Sequence, residues 1–300
     1  MQNNSHVEID INEIFSVLWL NKTLVTFIVI ISSITSVIIA LRMPNIYQSS
    51  ALLVVNSSNS SNSSITSQFG SLGALAGLNV QSDGQDKATL AINTIKSRDF
   101  FNKLIKDDIV LAKLMASISY NSSSKEVIYD NKIYDAKNNK WLKSKPSRLQ
   151  AHKKYIGSTL KASKDRKTNY ISLSIDHVSP FFAEQFLQSI ITSLNDSIKK
   201  SDLEESIAAT DYLSGRLAET SVLEVKKSLN NLIESQLKTQ MLANIQDDYI
   251  LKSIDPPFIP EEKYLPQRSM VCITGFLIGL FFAIFIVLIR HYFFLSKNKS

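Results

Sequence analysis

Two long runs without a single charged side chain lie near the ends of this chain, and they constrain its fold more than any other feature. Residues 23–41, between Lys22 and Arg42, read "TLVTFIVIISSITSVIIAL", and residues 269–289, between Arg268 and Arg290, read "SMVCITGFLIGLFFAIFIVLI". A bilayer core of roughly 30 Å needs about 20 apolar residues in a helix, so both runs are long enough to span it. Core helices of a soluble protein usually keep a polar face, and neither run has one. A cleavable secretory signal would need a short basic leader and a small-residue cleavage site. The leader here carries Glu8, Asp10 and Glu13 against Lys22 alone, and "ALRMP" offers no such site. The first run is therefore expected to stay as an anchor.

Two spans put both termini on one side. Lys22, Arg290, Lys297 and Lys299 flank that side, against Arg42, Lys263 and Arg268 on the other. The bias of basic residues places residues 1–22 and 290–300 in the cytoplasm, with 42–268 on the opposite side of the membrane. The single cysteine, Cys272, lies inside the second span and allows no internal disulfide.

The net charge of +6 is uneven, because residues 132–167 hold twelve Lys or Arg against Asp135 and Asp165. No nucleic-acid fold motif or interleaving of aromatics accompanies this region, so nucleic acid is not expected as a partner. A solvated basic face is the first reading, and contact with an acidic glycan or a lipid phosphate the second.

Along the chain, Val7, Ile11, Ile14, Phe15 and Leu18 recur at helical spacing before the first span, with Trp19 at the expected interface. "YQSSALLVVN" reads as a strand leaving the membrane, and "NSSNSSNSS" as a loop with nothing to bury. "SLGALAGL" suits a small-residue helix, Lys87–Met115 is helical by period, and "KEVIYDNKIY" resembles a short hairpin. "YISLSIDHV" alternates Ile171, Leu173 and Ile175 with Ser172, Ser174 and Asp176, a half-buried strand. Ser179-Pro180 is a helix start, with Ser as cap and Pro in the first turn. From Phe181 to Asp255 there is no proline and one glycine, Gly215. Phe182, Phe186, Ile190, Leu194 and Ile198 form one stripe, and Leu213, Leu217, Leu229, Leu232, Leu237, Met241 and Ile245 continue an apolar face. An unbroken helix from Pro180 to Asp248 would reach roughly 100 Å and would need a partner for its stripe, most simply a second copy.

No chemistry-bearing cluster stands out. His6, His152, His177 and His291 are scattered, no glycine is followed by lysine, and no nucleophile elbow occurs. No catalytic, cofactor-binding or metal-ligating residue is assigned, and no cofactor is expected. Two features carry mechanics instead. Gly275-x-x-x-Gly279 in the second run lets helix backbones approach closely, and Ser32 and Ser36 repeat that spacing in the first. The stretch "DPPFIPEEKYLPQRS" puts Pro256, Pro257, Pro260 and Pro266, four of seven prolines, just before the second run. Proline fixes φ and removes donors, so residues 255–268 form a stiff strap leading back to the membrane.

In order, "EIDINEIFSVLWLNK", the first run, "MPNIYQSSALLVV", "YISLSIDHVSPFFAEQFLQSIITSLND", the strap and the Gly-containing second run resemble the Wzz-type polysaccharide co-polymerases. These are chain-length determinants of O-antigen and related surface glycans. The resemblance implies an α+β periplasmic domain with a very long helix, between two terminal transmembrane helices, assembled as a homo-oligomer. It implies a non-enzymatic role beside a Wzy-type polymerase, setting how long a lipid-linked polysaccharide grows, with lipopolysaccharide O-antigen as the leading case. The alternative is an export adaptor for capsule or exopolysaccharide that activates a separate cytoplasmic tyrosine kinase. The absence of a Walker loop and the brief tail disfavour a fused kinase.

Overall fold

Chain order in the computed structural model, which describes residues 17–56 and 87–297, begins with α1 (Lys22–Arg42) and β1 (Tyr47–Val55). Three short helices follow, α2 (Lys87–Lys96), α3 (Arg98–Leu104) and α4 (Asp108–Ala116). Next come two small hairpins, β2 (Ser117–Asn121) with β3 (Glu126–Tyr129), and β4 (Tyr134–Asp135) with β5 (Lys140–Trp141). Helix α5 (Arg148–Lys154) runs through a π-helical turn into β6 (Leu160–Lys164) and β7 (Ile171–His177). The chain closes with α6 (Pro180–Glu219), α7 (Leu223–Ile245), β8 (Leu251–Asp255) and α8 (Arg268–Lys297). The leader up to residue 16, the Asn/Ser run beyond Asn56 and the "SLGALAGL" stretch lie outside the described residues. The fold is mixed α+β with one long helix, and its two apolar runs are helices near the chain ends. Two compact units result, the ends up to Asn45 and from Tyr264, and Ile46–Lys263.

The larger unit is built on an antiparallel sheet of order β6-β7-β1-β8. Alternation puts Ile171, Leu173 and Ile175, all fully buried, on one face with Ala51 and Leu53. Against that face lies the first half of α6, through Phe182, Phe186, Ile190 and Leu194. Ser179 caps α6 by accepting from the Phe182 N–H at 3.3 Å, and Pro180 occupies the first turn, as the sequence implies. Tyr155 stacks on Phe101, ring centroids 4.7 Å apart, and donates to the Ile95 carbonyl at 3.2 Å.

Four expectations change. The helical stretch 87–115 is three helices, because Ser97 and Asp107 each turn out of helical backbone and cap the next one with a side-chain oxygen. Strand β3 pairs backward with β2, Tyr120 opposite Val127, and not forward with Ile133 and Tyr134. Asp176, expected on the solvated face, is buried and receives Lys161 Nζ and Gln48 Nε2, each at 2.7 Å. The long helix ends at Glu219 and α7 folds back along it. At 1.5 Å per residue α6 is about 60 Å long, so the continuous 100 Å rod is replaced by a helical hairpin. Gln240 Nε2 donates to the Ser206 carbonyl and to Thr210 Oγ1, both at 3.1 Å, and fixes the antiparallel register.

Where the hairpin meets the sheet, Asn195 is 3% exposed. Its Oδ1 accepts from the N–H groups of Ile250 and Leu251 at 3.0 and 2.9 Å, and its Nδ2 donates to the Leu251 carbonyl at 3.0 Å. Asn195→Leu strands two buried donors at roughly 1–3 kcal/mol each. We expect the variant to lose about 2–5 kcal/mol of stability in urea titration of the detergent-solubilised chain.

His177 is buried behind the same helix start. Its Nδ1 accepts from the Ser179 N–H at 3.0 Å, so its Nε2–H donates to the Lys113 carbonyl at 2.9 Å. Burial first, and then the Lys154 and Lys113 charges, lower its pKa from 6.5 to about 4. The folded state therefore holds the neutral ring while the unfolded chain takes up a proton below pH 6.5. Stability is complete above that pH and falls progressively as pH drops towards 4, by about 3 kcal/mol. His177→Gln is expected to flatten that part of a stability-versus-pH curve measured by urea denaturation.

Candidate functional site

In the unit formed by the chain ends, α1 and α8 pack antiparallel along their small residues. Ser32 Oγ donates to the Gly275 carbonyl and Ser36 Oγ to the Val271 carbonyl, both at 2.8 Å. These bonds satisfy each hydroxyl where no water would be available. A Cβ on Gly279 would stand 2.5 Å from the Ser32 Cβ, and one on Gly275 would overlap both Cβ and Oγ of Ser36. Ala40, Ala283 and Val287 are also buried, whereas Phe27, Ile34, Phe281 and Phe285 face outward. Only 11% and 17% of the most apolar windows of the two helices are buried, too little for core helices of a soluble fold. Both helices are long and apolar enough to cross a membrane, and their antiparallel packing brings residues 22 and 290 to the same end of the pair.

Ser32, Ser36, Gly275 and Gly279 are thus brought together, and by one chain alone. The sequence showed the matching four-residue spacing but not which helix would answer it.

After β8 the strap has no regular secondary structure through Pro260 and bends at Glu261 and Glu262, and in the larger unit Ser49, fully buried, donates from Oγ to the Phe258 carbonyl at 2.7 Å. Pro260 is buried, whereas Pro256 is exposed and Pro257 half-buried. In the other unit Pro266 is half-buried and follows a cis peptide bond, and Arg268 Nη2 donates to Asn45 Oδ1 at 3.2 Å.

The basic stretch 132–167 does not form a single element. Its lysines and arginines are spread over β5, α5, β6 and the connecting turns, and Lys145 and Lys161 pair with Asp108 and Asp176 at 2.6 and 2.7 Å. Along the hairpin, the seam of Leu213, Leu217, Leu229 and Leu232 is half-buried, while Leu237, Met241 and Ile245 point outward. Among the described residues no group of three or more His, Cys, Asp or Glu could hold a metal ion.

Residues 7–107 match the family model described as Wzz, chain length determinant protein. The match covers about a third of the chain, from the leader through α1 and β1 to α3, and shows the resemblance to that family over this segment. No curated protein matches the chain. Solved structures similar to it include a "full-length bacterial polysaccharide co-polymerase", at 13% identity and a TM-score of 0.39, covering 95% of this chain and 98% of that one. Another is a "Fragment of WzzB, Polysaccharide Co-polymerase from Salmonella Typhimurium", at 12% identity and a TM-score of 0.28, covering 74% and 100% respectively.

Close approach at Gly275 leaves no room for a side chain. Gly275→Ala is expected to push the helices apart at a cost of about 1–3 kcal/mol, and Ser36→Gly in the same chain to recover most of it. Unfolding of the purified protein by SDS in mixed micelles measures both.

Proposed function

We propose that the chain is a non-enzymatic regulator of the length of a Wzy-polymerised, lipid-linked surface polysaccharide, with lipopolysaccharide O-antigen as the leading case. The match of residues 7–107 to the chain length determinant model carries this reading. The layout supports it, with two apolar helices paired antiparallel and a mixed α+β domain between them in sequence. In this reading 23–41 and 269–289 span the inner membrane, 1–22 and 290–300 are cytoplasmic, and 42–268 is periplasmic. The working form is a homo-oligomer beside the polymerase. The outward apolar residues of the hairpin, with Leu223 80% and Ile245 72% exposed, favour self-association.

Deleting the gene and separating the cell's surface glycans on a gel is expected to give an altered length distribution for one of them. Unchanged lengths of every glycan would remove the proposal. Loss of capsule export at unchanged chain length would move the reading to a kinase-activating adaptor.

The strap is assigned the task of holding the domain through its stiffness. Each proline-to-alanine change frees φ and costs about 0.4–1 kcal/mol through the unfolded chain where the native backbone is compatible. The quadruple change at Pro256, Pro257, Pro260 and Pro266 is expected to leave a folded, inserted protein with altered glycan lengths. Wild-type lengths at normal protein level would reduce the strap to a connector.

A further inference from the structure

We propose that the larger unit carries a binding pocket for an acidic saccharide, a sugar bearing a carboxylate, beside the start of α6. A cavity of about 740 Å³ opens there, lined by Lys113, Lys125, Lys137, Glu126, Phe181 and Gln185 among others. Its size falls within the range of small-molecule sites, roughly 300–1,000 Å³, and exceeds what a single inorganic ion needs. The three lysines come from three separate places, α4, the β2–β3 turn and the β4–β5 turn. Two of those places are built to present them. Asn121 Oδ1 accepts from the Ser123 N–H at 3.0 Å and holds the first turn, where Lys125 takes a left-handed backbone with φ of 55°. Asp135 Oδ1 accepts from the Lys137 N–H at 2.9 Å and holds the second.

The charge is only partly offset, through the attraction between Asp135 and Lys137. Among the described residues no carboxylate lies within ion-pair distance of the Nζ of Lys113, Lys125 or Lys137. Two of the ammonium groups have aromatic neighbours, Lys125 at 5.6 Å from the centre of the Phe181 ring and Lys113 at 5.7 Å from that of Phe182. Such contacts orient a cation without cancelling its charge. Three cations against the single carboxylate of Glu126 leave a net positive cavity that attracts carboxylates, and its volume favours one carried on a sugar over a small inorganic ion. Lysines act as point charges and bring no arginine-type fork. The exposed Gln185 amide adds two donors and one acceptor of the kind sugar hydroxyls use. The helix start is not itself the anion site, because Ser179 Oγ already takes the Phe182 N–H.

The choice of a sugar as the carrier of the carboxylate rests on the glycan reading above, and the pocket lies wholly beyond residues 7–107. The full-length protein in detergent micelles is titrated calorimetrically with digalacturonate, with lactose and with inorganic phosphate. We expect digalacturonate to bind and lactose and phosphate to bind at least about tenfold more weakly. The K113Q/K125Q/K137Q triple variant is expected to weaken digalacturonate by about tenfold or more, and E126Q to tighten it about two- to fivefold. The K125Q/K137Q double variant, confined to the two turns, is expected to show the same direction and covers the case in which the Lys113 change impairs folding. A flat isotherm, equal binding of lactose, equal binding of phosphate, or affinity indifferent to the lysines each overturns the pocket. Failure of the glycan reading shows separately, as unchanged glycan lengths in the deletion strain.

Discussion

Pairing of β1 with β8 is the contact on which the rest of the larger unit depends. Leu53 lies opposite Ser253, Val54 opposite Lys252 and Val55 opposite Leu251, so two segments almost the whole domain apart in sequence become neighbours. Closing a loop of that length costs only a few kcal/mol, about 5 by the logarithmic law, because the cost grows slowly with length. A short ladder with the buried Asn195 clamp beside it can offset such a cost. Once β1 and β8 are side by side, the domain begins and ends on adjacent antiparallel strands of one sheet. A chain whose two apolar helices pair antiparallel needs that return.

The same economy governs the hairpin. A single helix through residues 180–245 would leave Leu213, Leu217, Leu229 and Leu232 in water, whereas folding at 220–222 turns them towards each other. Apolar area removed from water contributes about 25 cal/mol per Å², and several leucines half-buried in this way outweigh the few hydrogen bonds lost at a turn. Tyr249 then donates to Asp202 Oδ2 at 2.8 Å and Lys199 Nζ to the Gln246 carbonyl at 3.3 Å, tying the returning helix to the one it left.

What the sequence makes legible is whatever a single segment decides by itself. The charge-free runs, the alternation of Ile171, Leu173 and Ile175 and the Ser179-Pro180 start are local patterns, and each appears where its pattern lies. The break after Glu219 is not local, since Thr220, Ser221 and Val222 include neither glycine nor proline and only the packing of α7 on α6 rewards it. Asp176 follows a clean alternation, yet Lys161 and Gln48 from two neighbouring strands make its burial tolerable. The cavity lysines lie 12 residues apart in two steps, at 113, 125 and 137, and nothing in that spacing says that a helix and two turns will bring them together. The serine and glycine pairs are intermediate, with a visible spacing and an invisible partner.

That last pairing bears on how copies of the chain could associate. A glycine stripe in an apolar helix is ordinarily read as a place where two molecules meet. Here Ser32 and Ser36 fill the grooves at Gly275 and Gly279, and both hydroxyls are spent on the opposite backbone of the same chain. The stripe is consumed within the protomer, so it cannot also serve between protomers without breaking two hydrogen bonds in a medium that offers no replacement. Proposed self-association must then draw on surfaces that folding leaves uncovered. Leu237, Met241 and Ile245 recur every four residues along α7 and remain about half exposed or more, a stripe that neither α6 nor the sheet covers. Assembly through such a face would be driven by water rather than by lipid, and would gain strength with the length of hairpin engaged.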